Sequence, residues 1–479
     1  MMNKTGSIDE ACSGKGGIAE FSARTLSFRI NLEDAGFSGE WCEPDSITGQ
    51  DVTLGVHFYQ PRCSATRQAK RPALFFFNGG PGASSTPLHF SGFGPYLVED
   101  ADEGSVRILE NPETLLDVAD LIYIDPVGTG FNRIPAPGEA GAPAERFLGV
   151  DGDAALAALA VREWLAAFGT PDAPVYLCGQ SYGGFRIATA APYLTEVNLC
   201  GLILLSPALS MSGRHETLTN DLAYLFTLPT MAVAAQYHGL RLSGLSAIEL
   251  HRAASGFALD SYASALVWGA SLASERRSAI ALEVSQWIGL PVQRILDLNL
   301  RIGAEAYMRE LLAPRPLRIG SLDVRGTGSL APMQDRPTND PSLVLKRSSG
   351  RNEKYFREVL GLDAKVPYVG LSFEVNGRWD WVRPDLGRKF YLDATEDLVT
   401  AMLAHEKLQV LAVAGMYDMS TPALATRHAL SRQGVPPGRV SILDVEGGHT
   451  PYETPGNRAC VARAIRSLIK AAGVVAHSE

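Results

Sequence analysis

The stretch Val175–Gly184, VYLCGQSYGG, decides how this chain reads. Its first half is apolar and β-prone, reaches a glycine, and runs into a second periodic segment. The pattern predicts a buried strand, a sharp turn and a helix. The turn holds the chain's only Gly-x-Ser-x-Gly, Gly179 to Gly183. In that context a serine stands exposed at the end of a sheet strand, and the flanking glycines let backbone approach backbone. The first amides of the following helix, at its positive dipole end, would face a developing oxyanion. Ser181 is therefore the candidate nucleophile. The glutamine directly before it, Gln180, raises a question about substrate that the motif does not answer.

Working outward, the runs TLSFRI, VTLGVHFY, ALFFFN, DLIYID, PVYLCG and GLILLSP are short, rich in β-branched or aromatic residues, and closed by Gly, Pro or Asp. The last four are almost wholly apolar, as buried parallel strands are. Between them, Asp151–Gly169 reads as an Ala/Leu-rich helix with an acidic first turn and a terminal glycine. After Pro207 the alternation gives way to mostly helical patterning, with a looser Gly/Asp/Pro-rich stretch at Ser321–Ser342. Strand patterning resumes at LQVLAVAG, Leu408–Gly415, then RVSILDV, then a final helix near Asn457–Ala471. The expected fold class is α/β, a mostly parallel sheet interrupted by a helical cap. The expected divisions are an arm at 1–24, a core at 25–209, a cap at 210–385 and the rest of the core at 386–479. Substrate would bind where cap meets sheet, at the carboxyl ends of the strands.

A serine hydroxyl needs a base and an acid to orient it. In this architecture they follow in the order Ser, Asp or Glu, His, each on a loop after a strand. VAGMYDMSTP places Asp418 just after Leu408–Gly415, and LDVEGGHTPYETP places His449 just after RVSILDV. Alone, each would pass for a turn residue; together, in order, at strand ends, they make a candidate triad. ALFFFNGGPGASS ends a strand in Asn78-Gly79-Gly80-Pro81-Gly82, a loop able to bring a second amide, that of Gly80, beside that of Tyr182.

Composition bounds the function. Forty-three basic against fifty-two acidic residues give a formal charge of −9 with no basic cluster, so nucleic acid is not an expected partner. No stretch approaches the ~18 consecutive apolar residues of a membrane span. The polar N-terminus, MMNKTGSIDEACSGKGGIAEFSART, has no apolar core of the kind a secretory signal requires. The six cysteines lie far apart without CxxC spacing, which argues against a zinc site or a disulfide framework. A cytoplasmic location follows as the expectation. No metal or organic cofactor is expected, and a homo-oligomer is left open. Cys178, three residues before Ser181, reads as a core residue.

NGGPGASS, IYIDPVGTGFNR, GQSYGG, AGMYDMSTP and GGHTPYETP, spread over residues 78–455, together resemble the serine carboxypeptidase family, peptidase family S10. YFREVLGLDAKVPYVGLSFEVNGRWDW, Tyr355–Trp381, looks like that family's bacterial branch. The resemblance implies an α/β-hydrolase fold with a large, mainly helical cap. It implies Ser181 as nucleophile, His449 as general base and acid, Asp418 as its orienter, and the amides of Gly80 and Tyr182 as the oxyanion hole. It also implies Asn78 and Gly79 as ligands of a substrate's free C-terminal carboxylate.

The departures from the family pattern are as informative. Two acidic residues that share a proton usually complete the carboxylate site; here their positions hold Gln180 and Gly92. Either Gln180 preserves carboxylate binding and frees it from acid pH, or it marks a relative that no longer reads a free C-terminus. The expected function is hydrolysis of a peptide or amide bond near the C-terminus of a short or modified peptide. The alternative is an acyltransferase or esterase on the same scaffold, acting in a biosynthetic or detoxifying pathway.

Overall fold

In a computed structural model, the described residues are 21–31, 38–48, 51–61, 71–101, 105–134, 142–170, 172–241, 244–331, 340–343, 351–363, 365–383 and 392–475. The arm expected at 1–24 lies outside them up to residue 20, as do Cys12 and Cys63. Thirteen strands are described in chain order: β1 Phe21–Ile30, β2 Gly39–Cys42, β3 Thr53–Pro61, β4 Ala73–Phe77, β5 Tyr96–Asp100, β6 Val106–Glu110, β7 Asp120–Asp125, β8 Val175–Gln180, β9 Leu199–Leu205, β10 Leu317–Ile319, β11 Thr327–Ser329, β12 Gln409–Gly415 and β13 Val440–Val445. Nine of them form one sheet in the order β13-β12-β9-β8-β4-β7-β3-β1-β2.

From β13 to β7 every neighbouring pair is parallel, and from β7 outward to β2 every pair is antiparallel. β4, β7, β8 and β9 are buried at every position, because helices cover both faces of the sheet. One face packs against the helices Val150–Phe168, Tyr182–Ala190 and Thr395–Ala404 through Trp164, Phe185 and Leu398. The other packs against the C-terminal helix Pro455–Val475 through Val461, Ile465 and Ile469. A large parallel sheet with helices on both faces, its central strand running into the serine turn, is the α/β-hydrolase architecture expected above. Cys178 is buried in this core, and burial pushes its thiol far above the range in which it would react.

The segment between β9 and β12 does two things. The helices Leu222–Tyr237, Ala247–Phe257 and Ser274–Ile288 build a core of their own, which continues into Met416, Tyr417 and Met419 beside Asp418. Residues 351–383 pack on the sheet instead, with Tyr355, Phe356 and Tyr368 on one face and Val375 and Trp379 on the other.

Two buried histidines make the fold sensitive to acid. His89 is fully buried; its Nε2 meets the Tyr59 hydroxyl at 2.6 Å and its Nδ1 has no partner among the described residues. Burial, then the neighbouring His57, holds it well below the ordinary imidazole range. His251 is lowered by burial from 6.5 to about 4. Both are neutral in the fold and protonate more readily once unfolded. Their stabilisation is therefore complete above pH 6.5 and is lost as pH falls below it. For His251 alone the loss by pH 4 is about 3 kcal/mol. The urea midpoint is expected to fall between pH 6.5 and 4, and a constant midpoint across that window would contradict this.

Candidate active site

β8 ends at Gln180 and the helix Tyr182–Ala190 starts one residue after Ser181. Ser181 bridges the two at φ 59° and ψ −125°, a backbone conformation that L-residues rarely adopt and that costs of order 1–3 kcal/mol. The surroundings enforce it. Ser181 N donates to Leu205 O at 3.0 Å, and Ser181 O accepts from Gly184 N at 2.9 Å and Ala208 N at 3.2 Å. A Cβ on Gly179 would stand 2.2 Å from Gly183 O, and one on Gly183 would stand 2.3 Å from Phe77 O. Both glycines of the motif are thus required by closeness of backbone.

Asp418 lies after β12, fully buried. Its Oδ1 accepts from Ser420 N at 2.8 Å and Thr421 N at 3.0 Å. Its Oδ2 accepts from the Thr421 hydroxyl at 2.5 Å and meets His449 Nδ1 at 2.7 Å. An ionised carboxylate only accepts, so Nδ1 carries the proton and Nε2 is left as the basic nitrogen. Among the described residues Ser181 Oγ forms no hydrogen bond with His449. What ties them is the residue next to Ser181: Gln180 Nε2 donates to the His449 carbonyl at 2.9 Å. Catalytic hydrogen bonds are often long before substrate binds.

The Asn78–Gly82 loop follows β4, the strand beside β8. Gly79 touches the turn, since a Cβ there would lie 2.7 Å from Tyr182 N and 2.9 Å from Ser181 Cβ. Tyr182 N is the first amide of its helix and has no helical carbonyl to bond. Gly80 and Gly82 adopt φ of 101° and 90°, which a side chain would resist. Two charged residues hold the loop. Arg186 donates to Asn78 O while pairing with Asp153 at 2.7 Å. Asp125, fully buried, accepts from Ser85 N at 2.8 Å, Ser85 Oγ at 2.7 Å and the Tyr368 hydroxyl at 2.6 Å, and meets His57 at 2.9 Å. Burial works to raise the Asp125 carboxyl, but His57, Tyr368 and Ser85 together bring it below the ordinary carboxylate range.

Gln180 is buried and engaged at both ends of its amide. Besides donating to His449 O, it accepts at Oε1 from the Tyr452 hydroxyl at 2.6 Å. The Tyr452 ring covers Gly92, where a Cβ would come 3.2 Å from ring carbon Cε2. Asn111 fixes this backbone by donating to Gly92 O at 2.9 Å and Gly94 O at 2.8 Å. A tyrosine from the histidine loop thus fills the space beside the two positions where the family pattern places acids.

Several supports were not visible as motifs. Ser321 O accepts from Met419 N at 3.0 Å and Ser420 N at 3.1 Å, and Leu322 O accepts from His449 N at 2.6 Å. One short stretch of the insertion therefore holds both the aspartate and the histidine loops. It is fixed in turn by Asp340, whose oxygens accept from Ser321 N at 3.2 and 3.0 Å. These bonds use backbone atoms, which leave no residue-type signal in the sequence. Tyr452 and Thr421, by contrast, stand within three residues of His449 and Asp418 respectively, and their hydroxyls could have been weighed. Among the described residues no cluster of metal-ligating side chains occurs, and no helix is long and apolar enough to cross a membrane.

Comparison with known proteins places relatives beside this geometry. The serine carboxypeptidase family model, Peptidase S10, matches residues 50–214. Serine carboxypeptidase-like 36 of Arabidopsis thaliana is 29% identical over 168 residues, covering 32% of this chain and 31% of the relative. Serine carboxypeptidase S10 family member 1 of Dictyostelium discoideum is 28% identical over 160 residues, 31% of this chain and 33% of the relative. The pheromone-processing carboxypeptidase kex1 of Sclerotinia sclerotiorum is 30% identical over 135 residues, 27% of this chain and 19% of the relative. The matched segments span a third or less of these relatives' length. Among solved structures, a proline iminopeptidase from Mycobacterium smegmatis is 15% identical, covers 93% of this chain and 99% of that one, and has a TM-score of 0.37. The family model and the named relatives support a serine-carboxypeptidase-like hydrolase and do not single out a bacterial branch. The segment matched by the family model takes in the Asn78–Gly82 loop and Ser181 and stops short of Asp418 and His449.

Proposed function

We propose that this protein is a serine hydrolase that cleaves a peptide or amide bond near the C-terminus of a short or modified peptide, through an acyl-enzyme. The observation that carries the reading is the strained Ser181 at the end of β8, with the Asp418–His449 pair on the loops after β12 and β13 of the same parallel sheet. In this mechanism Ser181 Oγ attacks the carbonyl carbon as its proton passes to His449 Nε2. Asp418 stabilises the resulting imidazolium at Nδ1. Negative charge on the carbonyl oxygen is met by the amides of Gly80 and Tyr182. His449 then gives its proton to the leaving amine as the C–N bond breaks, and water repeats the sequence to release the acid.

Asn78 and Gly79 are proposed to hold the carboxylate of the leaving residue. Gln180 is a positioning residue as much as a ligand, because one N–H of its amide supports His449 and its carbonyl takes Tyr452. Its single remaining N–H favours a second reading, in which the carboxylate clamp is weak and esters or acyl acceptors are the true partners. Turnover of matched dipeptides with a free or amidated C-terminus, from pH 4.5 to 8.5 and with Ser181→Ala as blank, separates the two. Preference for the free acid at neutral pH supports the peptidase, while equal or better turnover of the amide removes it.

Gln180→Glu is expected to make activity acid-dependent. The new carboxyl would be buried, so its pKa rises, and only the protonated form can donate to His449 O as the amide does. Activity near pH 7.5 should fall about tenfold, the worth of a lost buried hydrogen bond, and recover as pH drops. A profile parallel to that of the natural protein would remove Gln180 from this role.

A further inference from the structure

The loop after β9 carries a cation that pairs with no carboxylate among the described residues. Arg214 N donates to Met211 O at 3.0 Å, but among the described residues the Arg214 guanidinium forms neither a hydrogen bond nor an ion pair. Two other arginines of the insertion are paired, Arg301 with Asp221 at 2.8 Å and Arg294 with Glu310 at 2.6 Å, while Arg241 lies over the Trp287 ring. Arg214 lines a cleft with Pro207, Ala208, Phe226, Thr421 and His428, and no Asp or Glu contributes to its wall. Two of those residues belong to the candidate active site. Ala208 N donates to Ser181 O, and Thr421 holds the Asp418 carboxylate.

Arg214 is exposed to solvent, yet surrounding protein desolvates its head and lowers its pKa from the ordinary arginine value, against the opposing pull of Asp418. An accessible side chain with a desolvated head belongs to a cleft wall, not to a convex surface. Asp418 does not pair with it, because both carboxylate oxygens are taken by Ser420, Thr421 and His449. A planar guanidinium left open in a cleft offers two parallel N–H groups that match a carboxylate. The loop after β9 lies on one side of β8, and the Asn78–Gly79 loop after β4 lies on the other.

We propose that Arg214 is a specificity-determining residue that binds a carboxylate on the acyl portion of the substrate, such as the acidic side chain of the residue whose carbonyl Ser181 attacks. The proposal rests on the hydrolase reading above and deepens it. It assigns the substrate two anionic points, one on each side of the scissile bond.

Calorimetric binding to the Ser181→Ala protein of N-acetylated Glu-Ala and its uncharged isostere, N-acetylated Gln-Ala, tests it without requiring turnover. The Glu peptide should bind at least about tenfold more tightly, the scale of one charge-assisted hydrogen bond. Arg214→Gln should erase that ratio, and Arg214→Glu should instead favour N-acetylated Lys-Ala. Equal binding of Glu and Gln peptides, or binding of neither at millimolar concentration, overturns the proposal. Fluorophosphonate labelling of Ser181 in otherwise natural protein reports separately on the hydrolase reading. Labelling without a Glu preference removes Arg214 alone, and a Glu preference without labelling keeps the carboxylate site while removing the hydrolase.

Discussion

Ser181→Ala is expected to lower kcat on the best substrate by about a millionfold, the scale at which a triad fails when its nucleophile is removed. The fold should survive. The backbone bonds from Ser181 N to Leu205 O and from Gly184 N and Ala208 N to Ser181 O do not involve the hydroxyl. Alanine accepts the strained φ of 59° no worse than serine does. Binding of substrate should therefore persist while turnover stops, and comparing Kd with kcat in the variant checks both halves. Residual turnover within about a hundredfold of the natural protein would mean that another group carries the reaction.

Asp418→Asn should cost about ten-thousandfold in kcat with little loss of stability, the magnitude expected when the base is held in the wrong tautomer. The geometry dictates the sign. Oδ1 accepts two backbone N–H groups, from Ser420 and Thr421, so an asparagine must place its oxygen there. Its NH2 group then faces His449 Nδ1, where a carboxylate oxygen stood at 2.7 Å. Two donors cannot face each other, so Nδ1 loses its proton and Nε2 gains one, leaving no basic nitrogen for Ser181. The Thr421 hydroxyl can turn to Ser206 O, which it already meets at 3.0 Å. The pH–rate profile and kcat of the variant check this. A loss of less than tenfold would take Asp418 out of the mechanism.

Much of the sheet was legible because burial on both faces writes itself as continuous apolar runs. ALFFF, DLIYID, VYLCGQ and LCGLILL each became a strand buried throughout. The serine turn was legible because a Cβ on Gly179 or Gly183 would meet a backbone oxygen at 2.2 or 2.3 Å, and that constraint survives as the two glycines. The division of the insertion was not. Tyr355, Phe356 and Tyr368 look like any helical core, and periodicity states that a face is buried without stating against what. Ser321 and Leu322 were equally silent, since they support both catalytic loops through their carbonyls and any residue has a carbonyl. Gln180 was visible as a departure from a family pattern, but its meaning needed Tyr452, 272 positions away, whose hydroxyl occupies its oxygen. Arg214 had no motif at all; it is noticed only from its place in the cleft, without a paired carboxylate among the described residues.

These residues describe one arrangement: a serine strained into its turn at the end of a strand of a parallel sheet, a histidine whose Nδ1 is held by a buried aspartate, and a glycine loop pressed against the serine turn. The measurement that tests it most directly is reaction of the natural protein with a fluorophosphonate, followed by peptide mapping of the adduct. A single stoichiometric adduct on Ser181, lost in His449→Ala, is the result this account predicts. No adduct, or an adduct on another serine with Ser181 unmodified, would contradict it.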